Sequence, residues 1–151
     1  MTSESDLQHL LEKEIPVTKA LGFQIKEASS DLVKLILPLL PNRNHKGTAF
    51  GGSLYSASAV ASYALFLFSL QAQGLDTKEI VIGEGRIRYR YPVTADSILV
   101  AKWENAESRE HFFKVLKMEQ RSKTTLKVEI LCKNQIAATF EGEFFARRHS
   151  N

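Results

Sequence analysis

Cysteine is nearly absent: Cys132 is the only one in 151 residues, so no disulfide can form within the chain, and no Cys/His grouping has the spacing of a zinc site. Stability must therefore come from a buried apolar core. A chain of this length removes roughly two thirds of its unfolded surface from water, enough to fold without such staples. Proline is scarce too, with four residues, and no linker, low-complexity tract or internal repeat divides the chain. One globular domain over residues 1–151 is expected, in a reducing, cytoplasmic compartment.

The most pronounced deficit is charge. Residues 47–75 hold no Lys, Arg, Asp or Glu in 29 positions, although 25% of the chain is charged. Random placement would leave a given window of that length blank about 2 times in 10,000, so something selects against charge there. Residues 54–70 approach the length that crosses a bilayer. Five serines (Ser53, Ser56, Ser58, Ser62 and Ser69) dilute the apolarity, however, and no basic cluster flanks either end. The segment also begins too far into the chain for a signal peptide. A helix about 30 Å long, buried inside protein on all sides, accounts for both the length and the serines, and no membrane partner is expected. The net charge of +3 and pI near 9.0 permit anionic ligands without calling for nucleic acid.

Local patterning supplies the other elements. Ser5 or Asp6 can cap a first helix carrying Leu7, Leu10 and Leu11, which makes residues 1–14 a helical extension before Pro16. A short turn over 17–21 closes at Gly22. Strands are expected over 23–28 and 32–37, then, with period two, over 80–93, 98–104, 111–121, 124–132 and 136–147. Connections this short make neighbours antiparallel. In the 124–132 run, Leu126, Val128, Ile130 and Cys132 point one way, and Thr125, Lys127 and Glu129 the other. The dry face needs an apolar cover, and the uncharged helix is the one element of the right size. An antiparallel sheet curled around one long apolar helix is the α+β architecture known as the hotdog fold.

The stretch Asn42-Arg43-Asn44-His45-Lys46-Gly47-Thr48-Ala49-Phe50-Gly51-Gly52-Ser53-Leu54-Tyr55 sharpens this. It resembles hotdog-fold thioesterases, specifically the family that occurs alone or as the C-terminal domain of a bacterial acetyltransferase-thioesterase protein. The likeness runs over residues 15–146. It implies hydrolysis of an acyl thioester of coenzyme A or acyl carrier protein, in a homodimer or dimer of dimers with the cleft between protomers. It implies no cofactor beyond the coenzyme A or phosphopantetheine of the substrate, and no metal.

Thioester hydrolysis places negative charge on the carbonyl oxygen, and free N–H groups at a helix N-terminus stabilise it. Gly51 and Gly52 stand where that helix begins and would let a thioester approach the backbone; the same glycines would also suit a tight turn. His45 is the one nearby side chain that titrates near neutral pH, a candidate for orienting or deprotonating water, or else an ordinary loop histidine. Asn42 and Asn44 can bind the carbonyl or the water through their amides, or serve local turns. Phe50 and Ser53, beside the glycines, are candidate substrate contacts. No carboxylate occurs between Asp31 and Asp76. The position where one subclass of the superfamily carries an acid is Ala59, so the base is His45, an acid such as Glu84 arriving from another strand or subunit, or nothing at all. In the last case the protein would bind acyl thioesters without cleaving them.

Arg86, Arg88 and Arg90 alternate with Ile87, Tyr89 and Tyr91, which puts three guanidinium groups on one strand face. They read either as a phosphate site for coenzyme A or an acidic carrier protein, or as a solvated face with the aromatics turned inward. Gly83 and Gly85 imply a bulge or a close backbone approach. Trp103, Phe112, Phe113 and Cys132 are expected in the core.

Overall fold

A computed structural model describes residues 3–75 and 79–148. The chain opens with α1 (Glu4–Glu14), capped by Ser3, whose hydroxyl accepts the Asp6 N–H at 3.1 Å. The cap is therefore two residues before Ser5 and three before Asp6, the positions the sequence suggested. Leu7 and Leu11 on α1 are fully buried, so this helix belongs to the core. Its Gln8 amide donates to the Phe23 carbonyl at 3.0 Å and accepts the Ile25 N–H at 2.9 Å. A side chain thus occupies the place of a neighbouring strand and blunts an exposed edge. The short α2 (Thr18–Leu21) ends at Gly22, whose φ of 69° is the left-handed conformation expected there.

Six antiparallel strands form one sheet: β1 (Gln24–Ala28), β2 (Leu32–Leu37), β3 (Glu79–Tyr89), β4 (Ser97–Trp103), β5 (Arg121–Cys132) and β6 (Gln135–Arg147), in the spatial order β1-β2-β4-β5-β6-β3. β1 and β3 are the edges. β5 and β6 join through Lys133 and Asn134, both at positive φ (52° and 63°), the geometry of a tight two-residue hairpin. The pairing register of β3 shifts at Gly83, the expected bulge.

The central helix α3 (Gly51–Ala72) lies on the dry face, over Leu35, Leu99, Leu126, Val128, Ile130 and Phe140. It is long and apolar enough to cross a membrane by length and composition alone, yet 67% of its most apolar window is buried within the protein. Its serines suit that position. Ser58 Oγ donates to the Leu54 carbonyl at 2.7 Å and Ser62 Oγ to the Ser58 carbonyl at 2.9 Å, so small hydroxyls are satisfied inside the helix where it meets the sheet.

One expected strand is a helix. Residues 111–121 lie mostly in α4 (Ala106–Glu119), capped by Asn105, whose Oδ1 accepts the Ser108 N–H at 2.7 Å. Phe112, Phe113 and Leu116 are buried at helical spacing, and the Phe112 ring packs 5.1 Å from Phe66 of α3 and 5.6 Å from Trp103. The sheet's cover is therefore shared between two helices. α4 follows the short strand β4 and screens the aromatic end of the core, leaving the Gly51 end of α3 clear of it.

Candidate active site

The loop before α3 is built to hold a backbone shape. Asn42, only 3% exposed, donates both of its side-chain bonds to carbonyls, those of Leu21 and Pro38, each at 2.8 Å. Its own carbonyl accepts the Phe50 N–H at 2.7 Å. Asn44 organises the next turn: Oδ1 accepts the N–H groups of Lys46 and Thr48, and Nδ2 donates to Thr48 Oγ1 at 2.9 Å. Both amides are spent on the loop, so their support of the site is positional. His45 rides on this turn, exposed and with no hydrogen-bond partner among the described residues, and it walls neither cavity at the helix start.

Phe50 precedes the helix in an extended conformation (φ −64°, ψ 129°) and gives it no side-chain cap. The Ser53 and Leu54 N–H groups both turn to the Phe50 carbonyl, at 3.0 and 3.2 Å. The N–H groups of Gly51 and Gly52 have no acceptor among the described residues, and both residues are partly exposed. Two donors at the positive end of a 22-residue helix are thus available to an incoming oxygen. Two exposed aromatic side chains also crowd this backbone. A Cβ at Gly51 would stand 3.0 Å from the Tyr89 hydroxyl oxygen, and one at Gly52 would collide with the Phe50 ring.

Two tyrosines that the sequence did not single out complete the surroundings. Tyr89 donates its hydroxyl to the Gly51 carbonyl at 2.7 Å, tying β3 to the first residue of α3. Burial, and secondarily the nearby Tyr55, holds its phenol above the ordinary value of 10.0. Tyr55 meets Phe140 edge-on at 5.2 Å and reaches across to Gly85, where any Cβ would collide with its hydroxyl. The close approach implied by Gly85 is therefore to Tyr55.

The first turns of α3 wall two cavities. One, of about 370 Å³, is bordered by Thr48, Gly51, Leu54, Tyr89 and Arg90. The other, of about 690 Å³, runs between α3 and the start of β3 and is lined by Tyr55, Ser56, Ala59, Tyr63, Ile80 and Ile82 among others. Ala59, the position without an acid, faces this space. Glu14, from the end of α1, is the one carboxylate among the described residues that border it; Glu84 does not. Phe50 is 56% exposed and Ser53 half-buried beside the glycines. Arg86, Arg88 and Arg90 gather around a third cavity, of about 340 Å³, on the opposite face of β3, with Thr139 and Glu141. Among the described residues no group of three His, Cys, Asp or Glu side chains could hold a metal ion.

A long helix embedded in an antiparallel sheet, with bare N–H groups at its head, defines the class: a hotdog-fold protein of thioesterase type. The chain belongs to the family described as "Putative thioesterase (yiiD_Cterm)", whose model matches residues 4–148. Solved structures agree on the fold. A "putative thioesterase" of Shewanella oneidensis superposes with a TM-score of 0.84 at 23% identity, covering 95% of this chain and 96% of that one. A protein of unknown function from Chlorobaculum tepidum gives 0.88 at 23% identity, over 97% and 94%. A thioesterase from Haemophilus influenzae gives 0.74 at 12% identity, over 97% and 92%.

Proposed function

We propose that this protein hydrolyses an acyl thioester of coenzyme A or of acyl carrier protein at the N-terminus of α3, in the cytoplasm, with no cofactor besides the substrate's own pantetheine. The observation that carries this reading is the pair of free N–H groups at Gly51 and Gly52, with Gly51 on a cavity of about 370 Å³ and an apolar cavity of about 690 Å³ beginning one turn further along α3, at Tyr55. Attack of water on the thioester carbon forms the C–O bond and puts a negative charge on the carbonyl oxygen, where the two N–H groups stabilise it. Collapse then breaks the C–S bond, and the thiolate leaves and takes up a proton. In this reading His45, exposed on the turn that Asn42 and Asn44 hold and bordering neither cavity, takes the proton of the attacking water through one intervening water. Phe50 and Ser53 flank the carbonyl, and the acyl chain lies along Ala59. A homodimer, or a dimer of dimers, is part of the same reading; the edge position of β3, with Val81 and Ile82 exposed beside the cavity, supports it.

Thiol release from a panel of acyl-CoAs of different chain length tests this. Turnover with a chain-length optimum is expected, and His45→Ala should lower kcat by about 10²- to 10⁴-fold without changing stability. No turnover on any chain, or an unchanged His45→Ala, would overturn it. One observation favours a second reading, an acyl-thioester-binding module: Ala59 leaves the cavity without an acid on the central helix. Saturable acyl-CoA binding with no hydrolysis would decide for that.

A further inference from the structure

The outer face of the sheet is a lattice of cross-strand ion pairs, and it has a gap. Arg86 stands opposite Glu141 and pairs with it at 3.4 Å, and Glu141 in turn meets Lys127 at 3.8 Å. Lys102 pairs with Glu129, and Lys123 with Glu143 at 3.9 Å. One step further along β3 the pattern breaks: Arg88 stands opposite Thr139, which is neutral. Neither Arg88 nor Arg90 has a carboxylate within ion-pair distance among the described residues. Arg86, Lys102, Lys123 and Lys127 on this face each have a carboxylate partner, whereas these two guanidiniums have none and lie together at one end of the face.

That end is the one beside the helix start. Between the two arginines, Tyr89 turns to the other face of β3 and bonds the Gly51 carbonyl. Arg90, the first residue past the strand, borders both the arginine cavity and the cavity that contains Gly51. Its N–H, with that of Tyr91, is pinned to the Ala137 carbonyl at 2.8 and 3.0 Å, so the backbone that carries it is fixed. A ligand held at Gly51 can therefore pass round the end of β3 and reach Arg88 and Arg90.

We propose that Arg88 and Arg90, with the Thr139 hydroxyl, bind the phosphates of coenzyme A, and that the protein selects thioesters carried on coenzyme A. The proposal rests on the thioester reading above and names its carrier. Two guanidinium forks beside a hydroxyl, in a hollow of about 340 Å³ whose other lining residues, Arg86 and Glu141, are paired with each other, suit the multiple oxygens of a phosphate. The acidic surface of a carrier protein would instead need a broad basic area. Here the unpaired charge is confined to two arginines, and the neighbouring cations Arg86, Lys123 and Lys127 are already paired with Glu141 and Glu143.

The test compares one acyl group on two carriers, coenzyme A and N-acetylcysteamine, which has no phosphate. In the exposed double variant Arg88→Ala/Arg90→Ala, checked for an unchanged melting temperature, the ratio of kcat/KM for the coenzyme A thioester to that for the N-acetylcysteamine thioester should fall at least tenfold, carried by KM. In the unsubstituted protein that ratio should also fall as ionic strength rises. A ratio that stays within threefold overturns the proposal, as does a variant that loses activity on an acyl carrier protein thioester but not on acyl-CoA. Cleavage of an acyl carrier protein thioester but of neither small thioester overturns this proposal and leaves the hydrolase reading standing; if none of the three is cleaved, the hydrolase reading fails, and calorimetry with free coenzyme A at low salt decides this one. Binding that the double variant loses upholds it; unchanged binding, or none, overturns it.

Discussion

Replacing Gly51 by proline would remove one of the two proposed oxyanion donors while leaving the helix able to form. Gly51 is the first residue of α3 and its N–H has no acceptor among the described residues, so proline deletes nothing the helix uses. Phe50, at φ −64° and ψ 129°, already has the extended backbone that a residue before proline requires. The side-chain cost is crowding against Tyr89, 3.0 Å from a Cβ at this position. Tyr89 is 51% exposed and can turn aside. Gly51→Ala meets the same crowding but keeps the N–H, so the comparison between the two variants isolates the donor. Loss of one such donor costs about 10²- to 10³-fold in kcat, about 2.7–4 kcal/mol. We expect Gly51→Pro to fall below Gly51→Ala by that factor in an assay of thiol release from acyl-CoA. Their melting temperatures should agree within about 4 °C, the shift that about 1 kcal/mol produces in a protein of this size. A kcat for Gly51→Pro within threefold of Gly51→Ala would refute the role given to this N–H.

Tyr89→Phe removes the bond to the Gly51 carbonyl and should destabilise the fold by about 0.5–1.5 kcal/mol in urea unfolding. Because burial raises the folded-state pKa of Tyr89 above its unfolded value of 10.0, its contribution is intact below pH 10 and is lost as pH rises through the raised value. Tyr89→Phe should therefore lose less stability than the unsubstituted protein between pH 9 and pH 11. Ala59→Trp should fill the cavity beside α3 and shift the chain-length optimum to shorter acyl groups; an unchanged profile would remove the acyl chain from that cavity. Phe112→Ala should cost about 3–5 kcal/mol in the same unfolding assay, whereas Met118→Ala, at a position 72% exposed, should stay within about 0.5 kcal/mol.

Much of this architecture is legible in residue patterning. The charge-free window marks α3 because most of the helix is buried in the sheet, although one side, at Tyr55, Ser56, Ala59 and Tyr63, is open to a cavity and not enclosed as the sequence suggested; the alternation of Leu126, Val128, Ile130 and Cys132 gives the inner face of β5. Gly22, Gly83 and the Lys133-Asn134 turn stand where their backbone conformations are needed. Residues 111–121 misled because Phe113 and Val115 alternate like a strand, whereas Phe112, Phe113, Val115 and Leu116 taken together recur with a period near 3.6. The deciding signal was local: Asn105 as a cap, Glu107 in the first turn and Lys117 in the last, all favoured by the helix dipole. The candidate site was legible only where it is contiguous. Gly51 and Gly52 lie on one stretch of chain, whereas Tyr89 on Gly51, Tyr55 over Gly85 and Glu14 beside Ala59 depend on contacts between distant segments that periodicity does not encode. Asn42 and Asn44 were recognisable as important, but whether their amides face a ligand or the loop is decided by tertiary bonds to Leu21 and Pro38 and by local ones to Lys46 and Thr48.

A crystal structure with an acyl-CoA ketone analogue, in which a methylene group replaces the thioester sulfur, tests the central claim most directly. The account predicts the analogue's carbonyl oxygen at about 2.7–3.1 Å from the backbone nitrogens of Gly51 and Gly52, with the acyl chain running past Ala59. A carbonyl bound away from both nitrogens would contradict it.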